Sequence, residues 1–186
     1  MKEYSVSDLK DQFQKLGYIW PSGFHLIGVR SAADAPDSFD DRFHILWPVN
    51  GGLAIKSVPC TTNPGVYWLK NWFTPKGCAV LKPGQYLNCW KIGKHRNEYE
   101  ALVQCAPVTI YYDTNKDSKS DEGGLQETDL FGINIHRAAQ SWTSKVVDKW
   151  SAGCQVLADP NDFNELMRLC KSANQSRFTY TLLKEF

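Results

Sequence analysis

Two short stretches in the last third of the chain carry residue types and spacing suited to thiol chemistry. The first is Phe131-Gly132-Ile133-Asn134-Ile135-His136-Arg137. Read as a strand, it sends alternate side chains to opposite faces. Phe131, Ile133 and Ile135 then enter a core, and Asn134 and His136 share the other face. The second stretch is Trp150-Ser151-Ala152-Gly153-Cys154-Gln155-Val156. A glycine before a cysteine lets the backbone turn tightly and turns consecutive amides outward. Such amides can hold an oxyanion, so the Gly153 N–H is the expected donor. A thiol attacks as thiolate, and an imidazole can take its proton. Cys154 as nucleophile and His136 as base are thus the minimum that acyl transfer through sulfur requires, with a third group to orient the ring.

The other cysteines and histidines offer less. Cys60, Cys78, Cys89, Cys105 and Cys170 read as small apolar residues with free thiols. No CxxC pair occurs, which argues against a zinc ribbon or a thioredoxin-like site. Gly77-Cys78 also follows glycine with cysteine, but Cys78-Ala79-Val80-Leu81 is a plain strand pattern. His25 and His44 sit in alternating strand patterns and read as structural. His95 lies downstream of Cys78 and Cys89. It is read as outside the chemistry, so that His95→Ala should leave catalysis nearly intact.

Ile135-His136, a spacer, then Ser151-x-Gly153-Cys154-x-Val156 resembles the signature of the L,D-transpeptidase catalytic domain. Thr62-Asn63-Pro64-Gly65-Val66-Tyr67 is similar to that family's turn before a strand. The helix and final strand expected after Cys154 follow the family's order. The resemblance covers about the last third of the chain. It implies a β-sandwich-like fold, with a helix and a last strand after the cysteine. It implies attack on a carbonyl of a peptidoglycan stem peptide, a thioester acyl-enzyme, and inactivation by carbapenems. It also implies that the backbone carbonyl of Arg137 orients His136, and that no cofactor is required. Two positions depart from the family. Ala152 replaces a His before Gly-Cys and removes a donor. Gln155 replaces an Arg and removes a cation, for which Arg137 is the candidate substitute. Ser151, Asn134, Arg137 and Gln155 are the expected substrate contacts. Ser151 is equally placed to bond His136 or to shape the turn.

The acyl-enzyme can pass to an amine or to water. Hydrolysis is mildly favoured, as in a phage-type endolysin. The opposing reading is a non-catalytic wall-binding module whose many tryptophans and tyrosines stack on sugars.

The segment Asp113 to Asp121 places oxygen ligands at alternating positions. Asp113, Asn115, Asp117, the Lys119 carbonyl and Asp121 match the start of a calcium loop, with Glu122 or Glu127 to complete it. A structural calcium ion is therefore the candidate metal, and a solvated polar turn is the alternative.

Several elements must position these groups. Ser5 to Leu16 forms a short amphipathic helix, capped by Ser5 or Ser7 and ended by Gly17. Strands are expected at 24–30, 42–47, 52–58, 65–69, 78–81, 85–92, 99–104, 108–112 and 131–137, with a loop at 113–127. Asp159-Pro160 opens a helix whose Phe163, Leu166, Met167 and Cys170 share a face, and 178–183 closes as a strand. The class is mainly β with a few helices. Residues 1–20 form an N-terminal helical segment and 21–186 the L,D-transpeptidase-like catalytic domain. Lys plus Arg total 21 against 20 for Asp plus Glu, without a basic block, which argues against nucleic-acid binding. No apolar run is long enough to insert in a membrane. The polar N-terminus does not read as a secretory signal. The expectation is a protein made in the cytoplasm that acts on the cell wall after release or delivery, with stem peptides as its partners.

Overall fold

The computed structural model describes residues 2–186 and is mainly β. The first helix, α1 (Val6–Leu16), begins where Ser5 and Asp8 cap each other reciprocally and ends at Gly17, which is left-handed at φ 69°. Its buried Leu9 and Phe13 pack with Ile27, Val29, Leu46 and Leu183. These last four belong to strands β1 (His25–Arg30), β2 (Asp41–Val49) and β11 (Phe178–Lys184). The N-terminal helix is therefore docked on the sheet, and it covers one face of β1, all six of whose residues are buried.

The larger sheet closes on itself in the order β1-β11-β5-β6-β9-β10-β3-β2. The mainly β class is thus as expected, but the larger sheet is a closed barrel rather than one layer of a sandwich. Its other members are β3 (Gly52–Thr61), β5 (Gly84–His95), β6 (Tyr99–Gln104), β9 (Ile135–Arg137) and β10 (Gln155–Leu157). Trp90, Tyr180, Phe43, Leu26, Ile45 and Leu102 fill the main core, each fully buried. Tyr180 stacks on Phe43 at 5.7 Å between centroids. A Cβ at Gly28 would sit 1.9 Å from the Tyr180 hydroxyl, so glycine is the residue that lets this tyrosine fill the barrel.

A second sheet joins β4 (Cys78–Leu81), β7 (Val108–Asp113) and β8 (Gln126–Asp129) in the order β4-β7-β8. The strand β8 begins within the last two residues of the expected loop at 113–127 and runs two residues beyond it. Residues 65–69 are not a strand. They form the short helix α2 (Val66–Lys70), which starts after Gly65. The Val66 N–H donates to Asp37 Oδ1, and the Gly65 N–H to the Ser151 carbonyl. The last helix, α3 (Pro160–Ser172), is capped by Asp159 and buries Phe163, Leu166, Met167 and Cys170 as expected.

Arg30 ties the 113–126 loop to the barrel. Only 5% exposed, it donates to Glu122 Oε1 at 2.7 Å, the Thr62 carbonyl at 2.8 Å and the Leu81 carbonyl at 3.1 Å. Arg30→Ala would strand these acceptors, and a broken buried pair costs about 3–5 kcal/mol. Urea unfolding of that variant should show a loss of this size, and a loss of under about 1 kcal/mol would contradict the assignment.

No helix among the described residues is long and apolar enough to cross a membrane.

Candidate functional site

The strands β9 and β10 run parallel, with His136 opposite Val156 and Ile135 opposite Gln155. Ile135 and Leu157 join the main core, whereas Cys154 packs against a separate cluster that contains Val156, Ala138 and Val147. By alternation along β10, Cys154, the residue just before the strand, falls on the same face as Val156 and His136, opposite Ile135.

The expected strand 131–137 is regular only from Ile135 onward. Gly132 lies at φ 73° and turns the chain before it. The 131–134 segment is held by donors and acceptors from the barrel. Gln104 Oε1 accepts the Phe131 N–H at 3.1 Å and the Ile133 N–H at 2.9 Å, and Trp90 Nε1 donates to the Ile133 carbonyl at 2.7 Å. This segment then holds the thiol. The Asn134 N–H donates to Cys154 Sγ at 3.4 Å, and the thiol faces the Gly132 carbonyl at 3.5 Å.

The turn that presents Cys154 is built by Ser151 and Gly153. Ser151 Oγ donates to the Cys154 carbonyl at 2.8 Å and accepts the Gly153 N–H at 3.2 Å. Ser151 is fully buried, so it shapes the turn and is not a substrate contact. The Gly153 amide is committed to that hydroxyl and does not stand free as an oxyanion donor. Gly153 sits at φ 121°, and a Cβ there would lie 2.6 Å from the Ala79 carbonyl of β4. Glycine is required both by the backbone angle and by that contact.

His136 is buried, and its Nδ1 lies 2.7 Å from the Arg137 carbonyl. A carbonyl only accepts, so Nδ1 carries the proton and Nε2 is a bare acceptor. Nε2 is buried without a hydrogen-bond partner. Burial, with help from the neighbouring His95, pushes the imidazole down to about 3. Burial pushes the Cys154 thiol up to about 11, against a smaller lowering by the Asn134 N–H and by the positive charge of Arg96. The resting pair is thus a neutral thiol and a neutral imidazole rather than an ion pair.

The other expected contacts divide. Asn134 faces the site but is fully engaged: Oδ1 accepts the Gln104 N–H at 3.0 Å, and Nδ2 lies 3.1 Å from His95 Nδ1. It positions other groups. Gln155 points into the core, accepting the Tyr180 hydroxyl at 2.8 Å, and has no exposed surface. The Arg137 guanidinium lies over the Tyr99 ring at 3.8 Å, beside a groove it shares with Phe163 and Met167. It is absent from the cavity that Cys154 lines.

That cavity, about 340 Å³, is lined by Cys154, Ala152, Asn134, Gly132, Cys78 and Ala79, among others. Trp68, Phe73 and Tyr112 add aromatic surface to the lining, and His95 and Arg96 also belong to it. Phe73 stacks on Trp68 at 4.1 Å. His95 and Arg96 are the residues that sequence reasoning missed. The β5–β6 pairing ends at His95 opposite Tyr99, with Arg96 and Asn97 in left-handed turn conformations at φ 51° and 61°. The His95 ring stacks on His136 at 4.0 Å and 24°. Asn97, a residue type that tolerates the left-handed region, is the sequence sign of a tight hairpin there.

In the 113–121 loop, Asp121 N–H donates to Asp113 Oδ2, and Asn115 Nδ2 donates to both Asp117 and Asp121. The four side chains are gathered, but Glu122 is engaged by Arg30 and Lys184, and Glu127 by Lys76 and Tyr112. Neither closes a shell around an ion. Among the described residues no group of three or more His, Cys, Asp or Glu side chains stands arranged to hold a metal.

Comparison with protein-family models, curated proteins and solved structures found no match for this chain.

Proposed function

We propose that this protein is a cysteine-dependent enzyme of the L,D-transpeptidase type. It attacks peptidoglycan stem peptides through a thioester on Cys154. The observation that carries the reading is the arrangement around the thiol. Cys154 lines a cavity, accepts an amide N–H, and shares a face with a neutral imidazole whose Nε2 is buried and unpartnered. His136 takes the thiol proton as sulfur bonds to the carbonyl carbon, and returns it to the leaving amine as the C–N bond breaks. Its Nδ1–H, held by the Arg137 carbonyl, keeps the ring in the tautomer this requires. Arg96 supplies the cation in the lining, suited to a carboxylate of the stem peptide, in place of Arg137.

A cavity of about 340 Å³ lies at the small end of the range for ligand sites. Hydrolysis is the outcome we favour for the thioester, with an amine acceptor as the alternative. The direct test is digestion of purified peptidoglycan by the wild type and by Cys154→Ala, with fragments read by mass spectrometry. Shortened stem peptides with free carboxylates should appear with the wild type only. New cross-linked dimers as the main product would restore the transpeptidase outcome. Equal products with Cys154→Ala would remove the thiol from the chemistry.

The wall-binding reading draws on the stacked Trp68 and Phe73 at the cavity's edge, Phe73 being 70% exposed. It predicts retention on insoluble peptidoglycan, without cleavage, that Phe73→Ala abolishes.

A calcium ion at the 113–121 loop is a separate, structural proposal, supported by Asp113 Oδ1, buried with no partner. Millimolar calcium should raise Tm by mass action, and Asp113→Ala with Asp117→Ala should abolish the rise. An unmoved wild-type Tm would leave the loop a polar turn.

A further inference from the structure

Gln104 fixes more than a loop. Its backbone N–H is a donor, so the Asn134 atom it meets at 3.0 Å must be the oxygen. That leaves Asn134 Nδ2, a donor, against His95 Nδ1 at 3.1 Å. His95 Nδ1 is therefore an acceptor, and a neutral His95 carries its proton on Nε2. His136 is fixed the other way, with its proton on Nδ1 facing the Arg137 carbonyl and Nε2 bare. The two stacked rings thus hold opposite tautomers: one offers a lone pair and the other an N–H. The ring of His95 lines the same cavity as Cys154, and one residue, Asn134, touches both, by its backbone N–H and its side-chain amide.

We propose that His95 is a catalytic hydrogen-bond donor, its Nε2–H stabilising the oxyanion that forms when Cys154 attacks the substrate carbonyl. This rests on the acyl-transfer reading above. Two features leave a donor wanting. Ala152 stands directly before Gly153-Cys154 with a side chain that cannot donate, and the Gly153 amide is occupied by Ser151 Oγ. As the S–C bond forms, the carbonyl π electrons move to oxygen, and the thiol proton goes to His136 Nε2. The oxyanion accepts from His95 Nε2–H without taking its proton. On collapse the C=O bond re-forms, the C–N bond breaks, and His136 returns its proton to the amine. His95 is neutral at neutral pH, since burial, aided by Arg96, pushes it down to about 4. A neutral donor keeps the site from protonating the thiolate as it forms.

The test uses His95→Ala, His95→Gln and two reactions of the same thiol. Gln places an amide N–H near the position of imidazole Nε2 but has no basic nitrogen. Thioester formation on disaccharide-peptide fragments, followed by mass spectrometry under single-turnover conditions, should fall about 10²–10³-fold in His95→Ala, the usual worth of one oxyanion donor. His95→Gln should recover at least tenfold of that. Alkylation of Cys154 by iodoacetamide forms no oxyanion, and its rate should stay within about twofold of wild type in both variants. Matching thermal melts would show that the fold is kept, and intact alkylation that the thiol is still presented. Acylation unchanged in His95→Ala would overturn the proposal. So would His95→Gln as slow as His95→Ala, or alkylation falling in step with acylation, which would make His95 the base. If the wild type itself forms no acyl-enzyme on these fragments, it is the acyl-transfer reading that fails, which separates the two outcomes.

Discussion

With His136 replaced by alanine, thioester formation on Cys154 is expected to slow by about 10²–10⁴-fold at pH 7. The size follows from the state of the thiol. Burial holds Cys154 near 11. Without a base only the spontaneous thiolate attacks, and at pH 7 that is about one molecule in 10⁴. The same argument fixes a pH signature. In His136→Ala the thiolate fraction rises tenfold per pH unit until pH approaches 11, so the acylation rate should climb with that slope. In the wild type the base is already neutral above about pH 3 and the thiol intact below about 11. Its rate should stay nearly level from pH 6.5 to 9, with no limb near 6.5 of the kind a free histidine would give. Single-turnover acylation across that range, wild type against His136→Ala, checks both. A variant that does not accelerate with pH would show that His136 is not the base, and a wild-type limb near pH 6.5 that His136→Ala removes would show that burial does not depress the ring.

The parts of this layout differ in how far the sequence reveals them. Residues whose role is local are legible. Ser5 and Gly17 bracket α1 because capping depends on neighbours three or four positions away, and Asp159-Pro160 opens α3 for the same reason. Val66-Tyr67-Trp68-Leu69 is β-branched and aromatic, yet it is helical because Asp37 and Ser151 meet its first turn from far along the chain. The strand β8, Gln126–Asp129, is polar on both faces and pairs as an edge, so it carries no periodic signal. At the site, Cys154 and His136 stand out by type and by the glycine turn, and pairing of β9 with β10 brings them to one face. Gln155 reads as a substrate contact until Tyr180, from the last strand, is seen to hold it inside the barrel. His95 and Arg96 lie some 40 to 60 residues upstream of their partners. Only the β5–β6 hairpin and the Asn134 amide bring them to the thiol.

Acid should unfold this protein well above the pH at which most carboxylates titrate. The chain has four histidines, and His25, His44, His95 and His136 are all buried. Burial pushes the first three down to about 4 and the last to about 3. In the unfolded chain each would take a proton near pH 6.5. Between these values the unfolded state binds more protons than the native state, so stability rises with pH across the window and falls as pH drops through it. Above pH 6.5 the contribution is fully present. Raised carboxyls act in the opposite sense: burial raises the Asp41 carboxyl to about 6 and moves Asp34 and Asp113 upward as well, so the native state holds protons there that the unfolded chain releases. Four histidine protons against one at Asp41, with Asp34 and Asp113 partly offset by the lowered carboxyls of Asp8, Glu122, Glu127 and Glu165, leave a net uptake of about two to three on unfolding near pH 5, at about 1.4 kcal/mol per proton per pH unit. From pH 6.5 to 4.5 the loss is on the order of 5–10 kcal/mol, comparable with the whole stability of an ordinary domain. Urea unfolding at pH 7.5, 6.5, 5.5 and 4.5 should show the midpoint level at first and then dropping steeply. Of the four rings, His25 is the cleanest to remove. It lies outside the candidate site, and its Nε2 meets Thr181 Oγ1 at 2.9 Å beside the Phe13 ring. His25→Gln should lower the slope below pH 6.5 by about one proton and leave acylation at pH 7.5 unchanged. A midpoint that stays level down to pH 4.5 would mean that these rings take protons in place, and the neutral His136 on which the mechanism depends would go with them.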